Sequence, residues 1–403
     1  MKRVYEDIIE NHFKEDGLMF FLSGPRQVGK TTTTCSVAQK LYKKWTYLNW
    51  DDKDHREIIL KGPKAIIDFA NIEEASEEKP MIILDEIHKY VDWKNFLKGL
   101  FDTYQKKANF IITGSARLNI YKKGGDSLMG RYFPYRMHPL TVGEYLYSNL
   151  RSSEIILPKK IKDEDFMNLF KFGGFPKPFL NKNIQFSNRW QRLRYQQLFR
   201  EDIRDLKYIQ DIDRLEVLAK IIAEQSSQLL TYSNLAKKIR SSVDTVTRWI
   251  NVLESFYYCF RIRPWSKNIT RSLIKEPKIF LWDWSTVKNP GSKVENFIAS
   301  HLHKAVNFWT DMGFGDFQLY FIRDLEKREV DFLVSKDDQP WFLVEVKNSK
   351  DTKISKNLHI FKEMTNAKHA FQVVLHKEFI DVNCFNYLDP VIVPAKTFLS
   401  QLI

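Results

Sequence analysis

Cysteine is scarce in this sequence, with only three cysteines among 403 residues. They are Cys35, Cys259 and Cys384, and no two of them form a C-x-x-C pair. This spacing excludes a disulfide framework and a zinc ribbon, and isolated thiols of this kind are typical of a reducing compartment. We also find no internal repeat and no low-complexity tract.

Long hydrophobic runs are missing as well. Residues 1–7 contain no apolar stretch like that of a signal peptide. The longest apolar runs, at residues 18–22 and 81–84, are far too short to cross a bilayer. We therefore expect a cytoplasmic protein without a membrane partner.

Acidic residues are outnumbered by basic ones. The chain has 63 Lys and Arg against 50 Asp and Glu, which gives a net charge of +13 and a pI near 9.3. An excess of this size favours a polyanionic partner, most simply a nucleic acid; the alternative is a protein that is basic without such a partner. The hydrophobic fraction of 43% is enough for several packed cores, so wholesale disorder is not expected.

Short apolar runs alternate with longer amphipathic stretches in the first quarter of the chain. Strands are predicted at residues 18–23, 45–49, 81–84 and 110–113, and helices at residues 31–43 and 93–106. Such alternation is typical of βαβ units and a mostly parallel sheet. The pattern is then helical until it becomes mixed again from about residue 278, with strands predicted at residues 319–323, 329–335, 341–346 and 370–375.

A complete G-x-x-x-x-G-K-[ST] motif follows the first predicted strand and precedes a predicted helix. In a P-loop of this kind the glycines let backbone N–H groups point at phosphates, and the helix N-terminus adds positive partial charge. Lys30 is predicted to reach the β- and γ-phosphates, and the Thr31 hydroxyl to bind Mg²⁺. The predicted nucleotide-binding residues are Gly24, Pro25, Arg26, Gln27, Val28, Gly29, Lys30, Thr31 and Thr32.

Two further strands end in polar residues. The strand at residues 81–84 is followed by Asp85, predicted to hold Mg²⁺, and Glu86, predicted to polarise the attacking water. The strand at residues 110–113 ends in Thr113 and leads to Ser115, and either hydroxyl is a candidate for facing the γ-phosphate. A helix N-cap is the open alternative for both residues. Together the motifs predict ATP and Mg²⁺ as cofactors.

These motifs resemble those of the prokaryotic AAA-type ATPases that carry a C-terminal domain of unknown function. The resemblance extends over Leu-Asp-Glu-Ile-His at residues 84–88, Gly-Arg at residues 130–131, Pro-Leu-Thr-Val-Gly-Glu-Tyr at residues 139–145 and Gly-Gly-Phe-Pro-Lys-Pro at residues 173–178. It implies an ATPase core, a winged helix and a nuclease-like C-terminal domain. By the family pattern, Arg131 is a candidate for contacting the γ-phosphate, in cis or from a neighbouring subunit of a homo-oligomer. A structural ion pair is the open alternative.

The predicted fold class is α/β, with four segments. Residues 1–140 are predicted to form a P-loop AAA-type ATPase core with a parallel sheet, and residues 141–210 a helical lid or linker. Residues 211–285 are predicted to form a winged helix, and residues 286–403 a mixed α/β domain that resembles restriction endonucleases.

Residues 229–250 predict two helices around a turn at Ser241 and Ser242, with Ser242 capping the second helix. Helical spacing turns Val243, Val246, Ile250 and Leu253 inward. The outward residues of this helix and the basic residues of a β-prone wing are candidate DNA contacts: Thr245, Arg248, Asn251, Arg261 and Arg263. A winged helix also serves as a protein docking module, and both interpretations remain open.

Carboxylates cluster in the last predicted domain. Strand periodicity places Glu345 and Lys347 on one face, and a hairpin allows Asp331 to lie opposite them. Asp…Glu-x-Lys resembles the restriction-endonuclease core, in which carboxylates hold Mg²⁺, and Glu295 at the start of a helix offers one more. Surface residues or a salt bridge are the alternative.

Three functions compete on this sequence. The first is an ATPase that couples Mg²⁺-dependent ATP hydrolysis to the binding or remodelling of nucleic acid, DNA more than RNA. The second is an ATP-regulated, metal-dependent nuclease that uses Asp331, Glu345 and Lys347. The third is an ATP-driven protein-interaction switch without nucleic acid.

Overall fold

The computed structural model describes residues 1–72, 78–114, 128–204, 206, 209, 211–266, 276–348 and 353–403. The described chain divides into two compact units. Unit 1 consists of Met1–His138 with Ser148–Leu150, and unit 2 consists of Pro139–Tyr147 with Arg151–Ile403. Each unit is built around its own β-sheet.

Unit 1 contains a five-stranded sheet in which all neighbouring strands are parallel. The strand order is β2-β3-β4-β1-β5, and the strands are β1 (Met19–Ser23), β2 (Trp45–Asn49), β3 (Met81–Asp85), β4 (Asn109–Gly114) and β5 (Tyr132–Arg136). Nearly every residue of β1, β3 and β4 is buried, which explains why these strands appear in the sequence as continuous apolar runs.

Helices of unit 1 connect these strands. They are α1 (Val4–Glu15), α2 (Lys30–Leu41), α3 (Lys53–Leu60), α4 (Pro63–Phe69) and α5 (Trp93–Tyr104). The carboxylate of Asp52 accepts hydrogen bonds from two backbone N–H groups and so fixes the start of α3, whereas Pro63 occupies the first position of α4. Leu97, Leu100 and Phe101 of α5 pack in the same hydrophobic core as the buried residues of β3.

Unit 2 contains a seven-stranded mixed sheet in the order β12-β11-β10-β9-β8-β6-β7. Its strands are β6 (Cys259–Pro264), β7 (Lys278–Leu281), β8 (Phe317–Arg323), β9 (Glu329–Lys336), β10 (Gln339–Lys347), β11 (His369–Val374) and β12 (Val391–Pro394). β8, β9 and β10 form an antiparallel meander, and β11 and β12 add to it in parallel. β6 joins β8 in parallel through the pairs Arg263 with Tyr320 and Pro264 with Phe321.

The helices of unit 2 fall before, between and after these strands. They are α6 (Val142–Leu146), α7 (Asp163–Phe172), α8 (Pro176–Asn181), α9 (Ile184–Gln197), α10 (Ile212–Glu224), α11 (Tyr232–Lys238), α12 (Val243–Ser255), α13 (Pro290–Asp311), α14 (Lys356–Thr365) and α15 (Ala395–Gln401). A π-helical turn, Leu198–Asp202, continues α9. Within the described ranges, no helix combines the length and apolar character needed to cross a membrane.

The predicted fold class is confirmed: a parallel α/β core is followed by helices and a mixed sheet. The predicted strands differ from the observed ones by at most two residues at either end. In α12 the Ser242 side chain accepts from Thr245 N, as predicted, but the inward set was wrong at one position. Val243 is exposed and Trp249 is buried with Val246, because the first turn of the helix extends beyond the core that the later turns cover.

Candidate functional site

The loop between β1 and α2 carries the phosphate-binding motif at the carboxyl edge of the unit 1 sheet. Gly24 leaves β1 so close to β5 that an added Cβ would lie 2.4 Å from the Met137 carbonyl oxygen, which only glycine tolerates. Gly29 is the N-cap of α2, with φ of 111°, a left-handed conformation that favours glycine. The motif therefore keeps glycine where the backbone must turn, and the remaining predicted nucleotide-binding residues, Pro25, Arg26, Gln27, Val28 and Thr32, lie in this loop or the first turn of α2.

Lys30 folds over its own loop. Its side chain is buried, and Nζ donates to the carbonyl oxygens of Gly24 at 2.8 Å and Pro25 at 3.1 Å. From the other side, the buried Arg3 donates to the Val28 carbonyl at 2.9 Å and to the His138 carbonyl at 2.7 Å. Arg3 thus fixes the loop to the end of β5, a role that no sequence motif announced.

Asp85, at the end of β3, is the centre of a hydroxyl network. Its side chain accepts from the Thr31 hydroxyl at 2.7 Å, from the Tyr47 hydroxyl at 2.8 Å and from the Thr113 hydroxyl. The residue is only 5% exposed, so these hydrogen bonds replace most of the water that a carboxylate would otherwise bind. The structure therefore brings together the two predicted Mg²⁺ ligands, Thr31 and Asp85, and one of the two candidate hydroxyls, Thr113.

Tyr47 is a member of this network that sequence reasoning missed. It lies on β2, the strand beside β3, and its hydroxyl reaches the carboxylate from there. Burial first and the Asp85 carboxylate second raise the pKa of the Tyr47 phenol, so the hydroxyl keeps its proton and remains a hydrogen-bond donor throughout the physiological range. A tyrosine near the end of β2 would have been a usable signal only with the order of the strands in hand.

Glu86 follows Asp85 in a left-handed backbone conformation, with φ of 56°. Its N–H donates to the Thr113 carbonyl at 3.0 Å, which holds the residue at the sheet edge. Its carboxylate lies 3.6 Å from Nε2 of His88 and 4.0 Å from Nζ of Lys89. Burial lowers the pKa of His88, so the imidazole beside Glu86 is neutral at pH 7.

Arg131 lies away from this cluster. It immediately precedes β5, and its carbonyl accepts from the first residue of β1, so it occupies the amino edge of the sheet, opposite the P-loop. Its guanidinium donates to both carboxylate oxygens of Asp102, at 2.6 and 2.9 Å. The structure therefore does not bring Arg131 to the phosphate loop of its own chain, and a role in a neighbouring subunit stays a prediction. Ser115, the other catalytic candidate, lies outside the described residues.

The candidate DNA contacts on α12 and β6 are divided by their environment. Arg248 is exposed. Arg261 is not available to DNA, since it donates to the Glu254 carboxylate and to the Tyr232 hydroxyl and its side chain is 14% exposed. Asn251 accepts from Arg261 at 2.7 Å, and the Thr245 hydroxyl accepts from the capping Ser242. Arg263 pairs with β8 through its backbone.

The four predicted nuclease residues do meet in unit 2. Asp331 on β9 accepts from Val346 N of the neighbouring β10 at 2.8 Å, and Lys347 Nζ donates to Glu345 Oε1 at 2.8 Å. Glu295 of α13 and Asp331 both lie within ion-pair distance of the same lysine, described below. Burial first and the Asp331 charge second raise the pKa of Glu345 to about 7 and that of Glu295 to about 8.

The lysine is Lys278 of β7, and sequence reasoning missed it. Its buried ammonium lies 2.9 Å from Glu295, 2.6 Å from Glu329 and 3.7 Å from Asp331. Burial by itself would lower the pKa of Lys278, but the three carboxylates outweigh it and raise the pKa, so the ammonium stays charged. A cation of the protein itself thus lies among the carboxylates that would have to bind Mg²⁺.

This arrangement does not fit a divalent metal. Oxygen ligands of Mg²⁺ converge at about 2.1 Å on one point. Here Glu295 and Asp331 face the Lys278 ammonium, whereas Glu345 is paired with Lys347. Over the described ranges, no group of three or more His, Cys, Asp and Glu side chains is placed to hold a metal ion. We therefore derive no cleavage step from Asp331, Glu345 and Lys347.

Thr31 and Asp85, in contrast, suit Mg²⁺ bound with a nucleotide. Mg²⁺ prefers oxygen ligands and is usually held by one or two protein groups together with substrate phosphates. A hydroxyl and a carboxylate in direct contact beside a phosphate-binding loop match that preference. The Tyr47 and Thr113 hydroxyls fix the carboxylate from behind, as outer-shell groups do around metal ligands.

Comparison with family models divides the chain into three matched segments. Residues 16–146 match an AAA domain, residues 163–289 match a domain of unknown function (DUF8612), and residues 290–389 match another (DUF4143). Neither of the last two descriptions names a winged helix or a nuclease, so those two assignments remain predictions.

Relatives with similar sequences are distant. An uncharacterized protein of Methanocaldococcus jannaschii is 24% identical over 307 residues, a match that covers 69% of this chain and 63% of that protein. The matched region is thus somewhat less than two thirds of this relative. Uncharacterized proteins of Haemophilus influenzae and Mycobacterium tuberculosis are 20% and 22% identical over 81% and 84% of this chain, which corresponds to 82% and 72% of their own lengths.

Solved structures are similar only at low scores. The Walker-type ATPase PABY2304 of Pyrococcus abyssi gives a TM-score of 0.41 at 11% identity, over 70% of this chain and 93% of that one. The Orc1 protein of Aeropyrum pernix, solved in complex with DNA, gives 0.34 at 13% identity, over 73% and 91%. The family match covers residues 16–146, which contain the β1–α2 loop and the Thr31–Asp85 hydrogen bond, and it makes this segment similar to AAA domains.

Proposed function

We propose that this protein binds Mg²⁺-ATP at the Gly24–Thr31 loop, hydrolyses it, and couples hydrolysis to the binding of nucleic acid. The hydrogen bond between the Thr31 hydroxyl and the Asp85 carboxylate carries the first part of the proposal, because it joins the two halves of a nucleotide site that are 54 residues apart in sequence. The match of residues 16–146 to an AAA domain supports the same conclusion.

Each residue of the site has a distinct role in this proposal. The loop N–H groups and the N-terminus of α2 bind phosphate oxygens. Lys30 exchanges its hydrogen bonds to the Gly24 and Pro25 carbonyls for the β- and γ-phosphates, so that its positive charge offsets the charge that builds up during transfer. When bound, Mg²⁺ would be held by Thr31 and Asp85 and would neutralise phosphate charge.

Glu86 is the residue that we assign to the attacking water. It sits directly after Asp85 at the same sheet edge, and its left-handed backbone and its N–H bond to Thr113 hold it in place. In the proposed step the Glu86 carboxylate accepts a proton from water as the water oxygen attacks the γ-phosphorus. The bond to the bridging oxygen breaks, ADP leaves with that electron pair, and the proton passes from Glu86 to the released phosphate or to solvent. The products are ADP and inorganic phosphate.

Charge supports nucleic acid as the coupled partner. The chain carries a net +13, and eleven of its 63 lysines and arginines lie between residues 151 and 200, where only four acidic residues occur. A concentration of positive charge in one segment is the electrostatic signature of phosphate-backbone binding. Nuclease chemistry has less support, since the Lys278 ammonium lies against Glu295 and Asp331 of the predicted metal site.

The test is phosphate release by the full chain with ATP and Mg²⁺, measured with and without single- and double-stranded DNA and RNA. We expect Lys30→Ala to abolish turnover, and Glu86→Gln to lower it by roughly 10²-fold or more while nucleotide binding is retained. Lys40→Ala is the matched control, because it removes one lysine from the exposed last turn of the same helix. Equal turnover in the parent chain and the Lys30→Ala and Glu86→Gln variants would overturn the ATPase assignment. Turnover that does not change with any of the nucleic acids would favour a protein partner.

A further inference from the structure

Helix α9 and the turn after it carry four arginines, and the structure separates them by environment. Arg194 is structural: its guanidinium stacks over the Phe175 ring at 3.9 Å and lies 3.4 Å from the buried Asp283. Arg189, Arg192 and Arg200 are exposed instead. Arg194 and the buried Trp190 thus anchor α9 in unit 2 and fix which side of the helix faces solvent.

The solvent side of α9 is a basic row. Arg189, Arg192 and Gln196 follow each other at helical spacing of three and four residues, so their side chains share one face. Arg200 lies one further turn along, with a 67% exposed side chain and a loose contact of 3.7 Å to Glu216. In the part of the chain that the structure describes, the guanidinium groups of Arg189 and Arg192 have no hydrogen-bond or ion-pair partner, so their donors face solvent.

We propose that this face, Arg189, Arg192, Gln196 and Arg200, binds the phosphate backbone of a nucleic acid strand. At 1.5 Å per residue the row extends over about 16 Å, enough to contact about three successive phosphates of one strand. Guanidinium groups bind phosphate oxygens in bidentate fashion, and Leu193, 58% exposed on the same side, offers an apolar contact to a sugar. The proposal rests on the function proposed above and gives its nucleic-acid partner a binding surface.

Two features of the molecule favour this surface over the predicted recognition helix. Of the five residues expected to contact DNA, Arg261 and Asn251 are committed to each other and to Glu254. Arg248 is exposed on α12, but Asp244, also exposed on that helix, would repel phosphate. No acid occurs on α9 from Gln185 to Gln196, whereas at the Arg200 end of the row Glu216 lies 3.7 Å away and Glu201 is exposed. Contacts of this kind recognise the backbone, and we therefore expect binding without sequence preference.

The experiment compares variants that each lose two charges. Fluorescence-labelled oligonucleotides, single- and double-stranded, are titrated with the full chain between 50 and 300 mM salt. We expect Arg189→Gln with Arg192→Gln to weaken binding between about 20-fold and 60-fold at 0.1 M salt and to reduce the salt slope by about one and a half to two, as counterion release predicts for two phosphate contacts. Arg189→Lys with Arg192→Lys keeps both charges and should retain most of the affinity.

Lys61→Gln with Lys64→Gln is the charge-matched control, since both lysines are exposed in unit 1, and it should leave the affinity within about twofold. Equal losses in this control and in the arginine variant would reduce the effect to net charge and overturn the proposal. So would a loss confined to Arg248→Gln, which would place the contact on α12, or a loss confined to phosphatidylserine vesicles with oligonucleotide binding intact, which would make the partner a membrane.

ATP turnover of the same variants without nucleic acid separates this proposal from the one on which it rests. If the arginine variant binds oligonucleotides like the parent chain and Lys30→Ala still abolishes turnover, the α9 surface is wrong and the ATPase stands. If the parent chain binds no oligonucleotide at any salt concentration, the nucleic-acid partner fails together with the surface.

Discussion

The Thr31 hydroxyl donates to Oδ2 of Asp85 at 2.7 Å, so the first turn of α2 is hydrogen-bonded to the end of β3. The same oxygen accepts from Tyr47 at 2.8 Å. One carboxylate oxygen thus serves two hydroxyls, of which one belongs to the loop motif and the other to a neighbouring strand. The orientation of Asp85 therefore depends on Tyr47, which is not part of either motif.

Replacing Tyr47 by Phe should weaken the effect of Mg²⁺ on ATP binding. Loss of an outer-shell hydrogen bond to a metal ligand typically lowers metal affinity 10- to 100-fold, and we expect about tenfold here. The measurement is the dissociation constant of ATP at increasing Mg²⁺ concentration. Tyr42→Phe is the control, because that hydroxyl contacts only Asn109 among the described side chains. An unchanged Mg²⁺ requirement in Tyr47→Phe would show that the hydroxyl does not orient Asp85.

Arg131→Ala should leave ATP turnover of its own active site unchanged. The guanidinium is paired with Asp102 at the sheet edge opposite the P-loop, too far along β1 to touch a phosphate bound there. Phosphate release is measured as a function of protein concentration. If turnover falls in Arg131→Ala and is restored by mixing with Glu86→Gln protein, Arg131 acts in the site of a neighbouring subunit, and the prediction for a single chain is wrong.

Arg261→Ala should destabilise unit 2 rather than weaken a DNA contact. Its side chain is 14% exposed and is paired with Glu254, so the variant leaves a carboxylate buried without its partner. We expect a loss of about 3 kcal/mol in the free energy of unfolding, the usual cost of breaking a buried pair from one side. Urea unfolding monitored by tryptophan fluorescence is the measurement. Arg248→Ala removes an exposed arginine from the same helical region and should unfold like the parent chain; equal stability of both variants would contradict the structural role of Arg261.

Glu345→Gln should change how stability depends on pH. Burial and the Asp331 charge raise the pKa of Glu345 from 4.5 to about 7 in the folded chain. The folded state therefore keeps a proton that the unfolded state releases, and the free energy of unfolding falls as pH rises from about 4.5 to about 7. Glutamine does not titrate, so the free energy of unfolding of this variant does not show that decrease with pH.

The free energy of unfolding of Glu345→Gln, relative to that of the parent chain, should increase by about 2–3 kcal/mol between pH 4 and pH 8. Urea midpoints at both pH values measure the difference. Glu363→Gln, an exposed position on α14, serves as the control and should show no such change. If the gap between Glu345→Gln and the parent chain is the same at pH 4 and pH 8, the carboxyl of Glu345 does not titrate as the structure implies.

Strands β1, β3 and β4 of unit 1 were predictable because each is a buried apolar run that ends at or beside a residue of the phosphate site. The partly exposed β5 has no such run and was not predicted. Thr31 and Asp85 could be paired in advance since both belong to motifs whose partners are known from their chemistry. Tyr47 could not, because its contact depends on β2 lying beside β3, and strand order is not visible in local pattern. The phase of α12 was also predicted, except at its first turn.

The carboxylate cluster shows a different limit of sequence reasoning. Period and hairpin spacing predicted Asp331 opposite Glu345, and the structure places them on the neighbouring strands β9 and β10. Lys278, which lies beside Asp331, comes from β7, more than fifty residues before it, and no spacing rule connects the two. The positions of the acids can therefore be predicted from spacing, although their chemistry depends on Lys278, which the spacing does not reveal.

The seven-stranded sheet of unit 2 crosses the border between the two matched segments at residues 289 and 290. β6 pairs with β8 across it, and Lys278 on one side holds Glu295 and Glu329 on the other. An exchange of either segment with that of a distant homologue would leave an ammonium or two carboxylates stranded in the interior. Recombination at this border would thus be selected against, and the two segments should be inherited as a single cassette, so that in a collection of such genes their phylogenies coincide.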